Sequence, residues 1–101
     1  MKVFLDDTRA TPEGWERVYR VSEAIELLRT GAVELISLDY HLGDAEQGTG
    51  LDVLLWIEQA VRDSDFCPPV IRVHSDHRRG RAQMLEKLDV IQHSVHKSRN
   101  Q

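Results

Sequence analysis

The sequence predicts a small α/β domain: a parallel β-sheet of about four strands with helices on both faces. Three observations lead there. Short apolar runs alternate with stretches of helical period, as in "KVFLDD", "VSEAIELLR" and "VELISLD". Two of those runs end on aspartates, Asp6 with Asp7 and then Asp39, which suits strand ends at one rim of a parallel sheet. The chain has 101 residues, of which 41 % are hydrophobic, enough for one core and too few for two.

The elements follow in order. Residues 2–5 form the first strand. "TRATPEGW" comes next, with Pro12 and Gly14 standing where a regular crossover helix is otherwise expected. "RVYRV" (17–21) reads as a second short strand. Ser22 then suits a helix N-cap, Glu23 the first turn and Gly31 the position just past the end, with Ala24, Leu27 and Leu28 on one face. "VELISLD" (33–39) is the third strand. The Gly-rich "HLGDAEQGTG" leads into a second helix, capped by Thr49 with Asp52 three residues on and striped by Val53, Trp56, Ile57, Ala60 and Val61. Pro68 and Pro69 close that segment, and "VIRVHS" (70–75) is the fourth strand. Met84, Leu88, Ile91 and Val95 recur at helical spacing, which favours a last helix, although "VIQHSV" also suits a weak strand. The expected domain is 1–97, with 98–101 a frayed tail.

The balance of charge narrows the function. Thirteen basic against seventeen acidic residues give a net charge of −4, which excludes coating nucleic acid by bulk charge and leaves only a local basic patch. The lone Cys67 forms no internal disulfide, no signal-peptide pattern opens the chain, and no apolar run reaches membrane-spanning length. A cytoplasmic protein with no membrane association is the expectation.

In an open parallel sheet, ligands bind beyond the carboxyl ends of the strands. Asp6, Asp7, Asp39, His74 and Ser75 all fall there. Three carboxylates brought together repel unless a cation joins them, and a hard divalent ion such as Mg²⁺ or Mn²⁺ suits oxygen ligands. The plainer reading makes them separate turn and cap residues on a wet surface. His41 and His74 suit proton exchange near neutral pH. His93 and His96 read as a solvated helix face. "DHRRGR" places Arg78, Arg79 and Arg81 at the start of the last helix, where free N–H groups already favour anions, so a phosphate-bearing ligand fits the rim.

These residues, an acidic pair after strand 1, an aspartate ending strand 3 and a serine ending strand 4, resemble the receiver domains of response regulators. They are more similar still to the cyclic-phosphate-processing receiver-like domains of bacteria and phages. That family typically shows "LDD.R", "SLDHDLG", "tGydvl.wi" and "HS.NP.G"; this chain reads "LDDTR", "SLDYHLG", "TGLDVLLWI" and "HSDHRRG" in the same order over about residues 2–85. The family's His-Asp is here Tyr40-His41 and its Asn-Pro is His77-Arg78. No strand-5 lysine stands out, Lys97 lying in the tail.

The resemblance implies a flavodoxin-like strand order, 2-1-3-4, truncated relative to a full receiver. It implies Mg²⁺ or Mn²⁺ at Asp6, Asp7 and Asp39, with Asp39 as ligand or alternatively as nucleophile. It matches Ser75 to the family's hydroxyl residue, which suits a phosphate oxygen, and the rim residues themselves suggest His74 as acid or base and Arg9, Arg78 and Arg79 as phosphate binders. The expected ligand is a cyclic or terminal phosphate, at an RNA 3′ end or on a cyclic nucleotide. The alternative is a non-enzymatic module that binds a protein partner or a nucleotide.

Overall fold

The computed structural model describes residues 1–42 and 48–99. Most of the Gly-rich loop before the second helix, and the end of the expected tail, lie outside the described residues. The elements are β1 (Lys2–Leu5), β2 (Glu16–Val18), α1 (Val21–Arg29), β3 (Leu35–Leu38), α2 (Gly50–Ser64), β4 (Val70–Val73) and α3 (Arg78–Arg99). All strand pairs are parallel, in the order β2-β1-β3-β4, as expected.

Several boundaries differ from the sequence reading. β2 ends at Val18 and Val21 opens α1, because Glu23 Oε1 reaches back to accept the backbone N–H groups of Tyr19 and Arg20, both at 3.1 Å. The cap is therefore Arg20 rather than Ser22. Gly31 sits where expected, at φ 76°, a left-handed conformation open to glycine at no cost. Thr49 caps α2 as expected, with Asp52 Oδ2 accepting its N–H at 2.9 Å. The "VIQHSV" stretch belongs to α3 and not to a fifth strand.

The helices do not cover both faces. Val3 and Leu5 of β1, Val18 of β2, and Ile36 and Leu38 of β3 share one core with Ala24, Leu28, Val53, Leu54, Ile57, Val61, Met84 and Ile91 of the three helices. Strand side chains alternate, so one face of the sheet carries all three helices. For α1 and α2 the reason is topological, and α3, which follows the last strand, packs against α2. The β2-to-β3 and β3-to-β4 crossovers step across the sheet in the same direction, and right-handed crossovers that step the same way lie on the same face. The connection that steps the other way, β1 to β2, is the Pro/Gly loop. It leaves Trp15 as cover for the second face, edge-on to Phe4 with ring centroids 6.1 Å apart.

Among the described residues no helix is long and apolar enough to cross a membrane.

Candidate functional site

Because all strands are parallel, their carboxyl ends share one rim, where Asp6, Asp39 and His74 each follow a strand directly. Each offers one ligand atom, and these atoms lie within 4.8 Å of one another.

Asp6 is fully buried. Its Oδ1 accepts the backbone N–H groups of Thr8 at 2.8 Å and Arg9 at 2.9 Å, and its Oδ2 accepts His74 Nε2–H at 3.0 Å. Burial pushes its pKa up, but these donors and the neighbouring imidazole outweigh burial and hold the carboxyl below the ordinary range. Arg17 braces the same turn, donating from Nε to the Asp6 carbonyl at 3.1 Å and from Nη1 to the Arg9 carbonyl.

Asp39 is also buried, and here the outcome reverses. Burial first, and the charge of Asp6 second, raise its pKa above the ordinary value, against smaller opposing effects from His74, the Ser75 hydroxyl and the Tyr40 N–H. The site thus holds more negative charge than its surroundings readily accommodate.

His74 has both ring nitrogens engaged. A carboxylate only accepts, so Nε2 carries the hydrogen given to Asp6, and in the neutral ring Nδ1 accepts from the Ser37 hydroxyl at 2.6 Å. Ser37, buried in the middle of β3, was not singled out from the sequence. Its signal was strand parity: in "ISLD" it points away from Ile36 and Leu38, onto the face of its Cα partner Phe4.

A cavity of about 440 Å³ opens at this rim, lined among the described residues by Asp7, Thr8, Arg9, Asp39, His41, Ser75, Asp76 and His77. Arg9 is held in its wall, donating from Nη1 to the His74 carbonyl at 2.7 Å and from Nη2 to Asp76 Oδ2 at 2.6 Å. Ser75 Oγ accepts the His77 N–H at 3.1 Å. Of the residues expected from sequence, Asp7, Arg9, Asp39 and Ser75 therefore meet in one cavity, with Asp6 and His74 directly behind. Arg78 and Arg79 open α3 as exposed side chains outside the cavity lining. His93 Nδ1 bonds the Asp89 carbonyl at 2.8 Å, well apart in sequence from this rim.

The donor set suits a hard divalent cation: carboxylate oxygens predominate, three carboxylates line the cavity, of which Asp76 is paired with Arg9, and Asp39 bears charge that a cation would neutralise. No curated protein and no solved structure matched the chain. Residues 1–90 match the profile described as the cyclic-phosphate processing receiver domain. With the parallel sheet in the order β2-β1-β3-β4 and its acidic rim already in place, the chain belongs to the family of cyclic-phosphate processing receiver domains.

Proposed function

We propose that this domain processes phosphoesters with the help of Mg²⁺ or Mn²⁺, acting on a cyclic phosphate of the kind found on nucleotides and at RNA 3′ ends. The observation that carries this reading is Asp39: a buried carboxylate pressed by the charge of Asp6, opening into a cavity whose wall holds an anchored arginine. That arrangement accommodates a cation and a phosphate together far better than either alone.

In this reading Asp7 and Asp39 hold the cation from the cavity side, with Asp6 behind them. The bound ion supplies Lewis-acid polarisation of the phosphoryl group. Arg9, pinned by the His74 carbonyl and Asp76, faces the developing phosphate charge without reorganising, and the Ser75 hydroxyl turns its one hydrogen from Asp39 to a phosphate oxygen. Water adds to phosphorus, one of the two ring P–O bonds breaks, and the departing ribose oxygen takes a proton, leaving a phosphomonoester. His74, tied at both nitrogens, acts as a positioning residue for Asp6. His41, whose ring lines the cavity, is the imidazole open to move the proton. Arg78 and Arg79 supply a positive rim for a longer ligand.

The test is chromatography of adenosine 2′,3′-cyclic phosphate after incubation with and without Mg²⁺, alongside intact-mass measurement after acetyl phosphate treatment. Ring opening that needs the metal and is lost in Asp39→Asn, with no durable phosphoprotein, is expected. A lasting mass gain that disappears in Asp39→Asn, with the cyclic phosphate untouched, would make the domain a signalling receiver instead.

A further inference from the structure

The cavity is larger than a phosphate needs. At about 440 Å³ it falls within the range of roughly 300–1,000 Å³ usual for small-molecule sites, and its lining is divided in character. Asp7, Asp39, Ser75 and Arg9 suit a phosphate and a cation. His41 and His77 suit something flat.

His77 is built as a platform. Its Nδ1 accepts the Gly80 N–H at 2.9 Å and its carbonyl accepts the Arg81 N–H at 2.8 Å, so it caps α3 and the edge of its ring is pinned. One face of the ring lies on Tyr40, with centroids 4.8 Å apart and planes within 16°. Tyr40 is itself fixed, because its ring rests directly on the Gly80 backbone, where any added Cβ would overlap it. His41, 6.0 Å from His77 and tilted by 57°, does not lie flat on it. His77 is exposed.

Capping does not explain this choice of residue. Asn, Asp, Ser or Thr at the same position caps a helix with a smaller side chain and at least equal strength. The imidazole adds an oriented, solvent-facing π-surface at the wall of a cavity that has room beyond a phosphate. Every nucleobase has a matching flat face.

We infer that the Tyr40–His77 stack is a base-stacking platform, so that the ligand of this cavity is a nucleotide whose base lies on His77 while its phosphate reaches Asp39, Ser75 and Arg9. This rests on the phosphoester reading and adds to it the nucleoside half of the ligand. Free nucleotides and RNA ends share that chemistry.

Calorimetric titration in Mg²⁺ separates the possibilities, using adenosine 2′,3′-cyclic phosphate against glycerol 1,2-cyclic phosphate, which carries no base. Stacking is worth about 1–3 kcal/mol per base, so the parent should favour the nucleotide by about fivefold or more. His77→Asn keeps a capping side chain and removes the ring, and should bring the affinity ratio close to one. His77→Phe keeps a ring and removes the cap, and should retain the preference. Equal affinities in the parent, a ratio unchanged in His77→Asn, or a ratio lost in His77→Phe as well would each overturn the platform while leaving the phosphoester reading in place. Binding of neither phosphate would overturn both. A short RNA ending in a 2′,3′-cyclic phosphate then identifies the source: affinity above that of the mononucleotide supports an RNA end engaging Arg78 and Arg79, and equal affinity supports a free nucleotide on the same platform.

Discussion

His74 lies flat on Phe4, the two ring centroids 4.5 Å apart and the planes within 4° of each other. Phe4 comes from the middle of β1 and faces the side of the sheet that has no helices. The stack therefore fixes the imidazole plane from below, and the plane fixes where its two nitrogens point. One meets Ser37 and the other meets Asp6. A buried carboxylate of the acidic rim is thus oriented by the one sheet face that the fold leaves to a loop.

Removing the far end of that chain should be felt at the near end. Ser37→Ala leaves His74 Nδ1 without its partner in a half-buried position, at a cost of about 1–2 kcal/mol for the unsatisfied group. For a domain of this size that corresponds to a melting temperature lower by roughly 5–15 °C. Phe4→Leu should cause a smaller loss, since it removes only the stacking. Thermal melts followed by circular dichroism check both, and a Ser37→Ala melt equal to the parent's would mean that the hydroxyl contributes nothing to holding the ring.

Gly50 sets the distance between α2 and the rim. A Cβ added there would overlap the Asp39 carbonyl oxygen, which is backbone, and would lie 2.6 Å from Met84 Cε. The Gly50 N–H also donates to the Tyr40 carbonyl at 3.2 Å, so the helix start cannot retreat without losing a hydrogen bond. Gly50→Ala should cost about 1–3 kcal/mol, the usual range for overpacking. Chemical denaturation measures it. An unchanged midpoint would show that α2 moves freely away from β3.

The fold was legible in the sequence because its signals are local. Alternating apolar runs located the four strands, and Thr49 with Asp52 located the start of α2. Apart from the α1 cap, where the reach is only three and four residues, what was missed depends on groups far apart in the chain. Glu23 moves the α1 cap from Ser22 to Arg20 by reaching backwards, which no residue preference for caps announces. The one-sided packing follows from the direction of two crossovers, and only the strand order reveals that. In the site, Asp7, Asp39 and Ser75 were readable as strand ends, and so was Asp6. Ser37 was readable in principle from parity, but its meaning needs Phe4 and His74 across two strands. The clamp on Arg9 by Asp76 spans 67 residues of sequence and leaves no local trace.

Cation binding should depend on Asp39 more than on an isolated surface carboxylate. Asp39→Asn removes the buried one of the three carboxylates that line the cavity, along with the repulsion that a cation would relieve. The affinity for Mg²⁺ or Mn²⁺ should fall about tenfold, on the order of 1.4 kcal/mol. Calorimetric titration of parent and variant decides it. Equal affinities would exclude Asp39 from the metal site.

The same substitution should act in the opposite sense on stability when no divalent metal is present. The pKa of Asp39 is raised, by burial first and the charge of Asp6 second, so the folded chain keeps a proton there at pH values where the unfolded chain has released it. Stability from this group is therefore lost as pH rises from the ordinary carboxylate range through the raised value, and it stays lost above. Asn has no such charge and its side-chain oxygen still accepts from Ser75. Asp39→Asn should then melt above the parent at neutral pH in chelator, and the gap should close as the solution is acidified through the raised pKa of Asp39. Asp6 runs the other way: its lowered pKa contributes stability that is present above the ordinary carboxylate range and disappears as pH falls through the lowered value. In the parent the two groups oppose each other across the acidic range, so the variant, keeping only Asp6, should show the steeper rise of stability with pH. Adding Mg²⁺ should stabilise the parent more than the variant, by up to about 1.4 kcal/mol for the tenfold difference in affinity. Melts at several pH values in chelator and in Mg²⁺ test the whole argument, and a variant less stable than the parent at neutral pH in chelator would show that the Asp39 carboxylate is no burden to the metal-free fold.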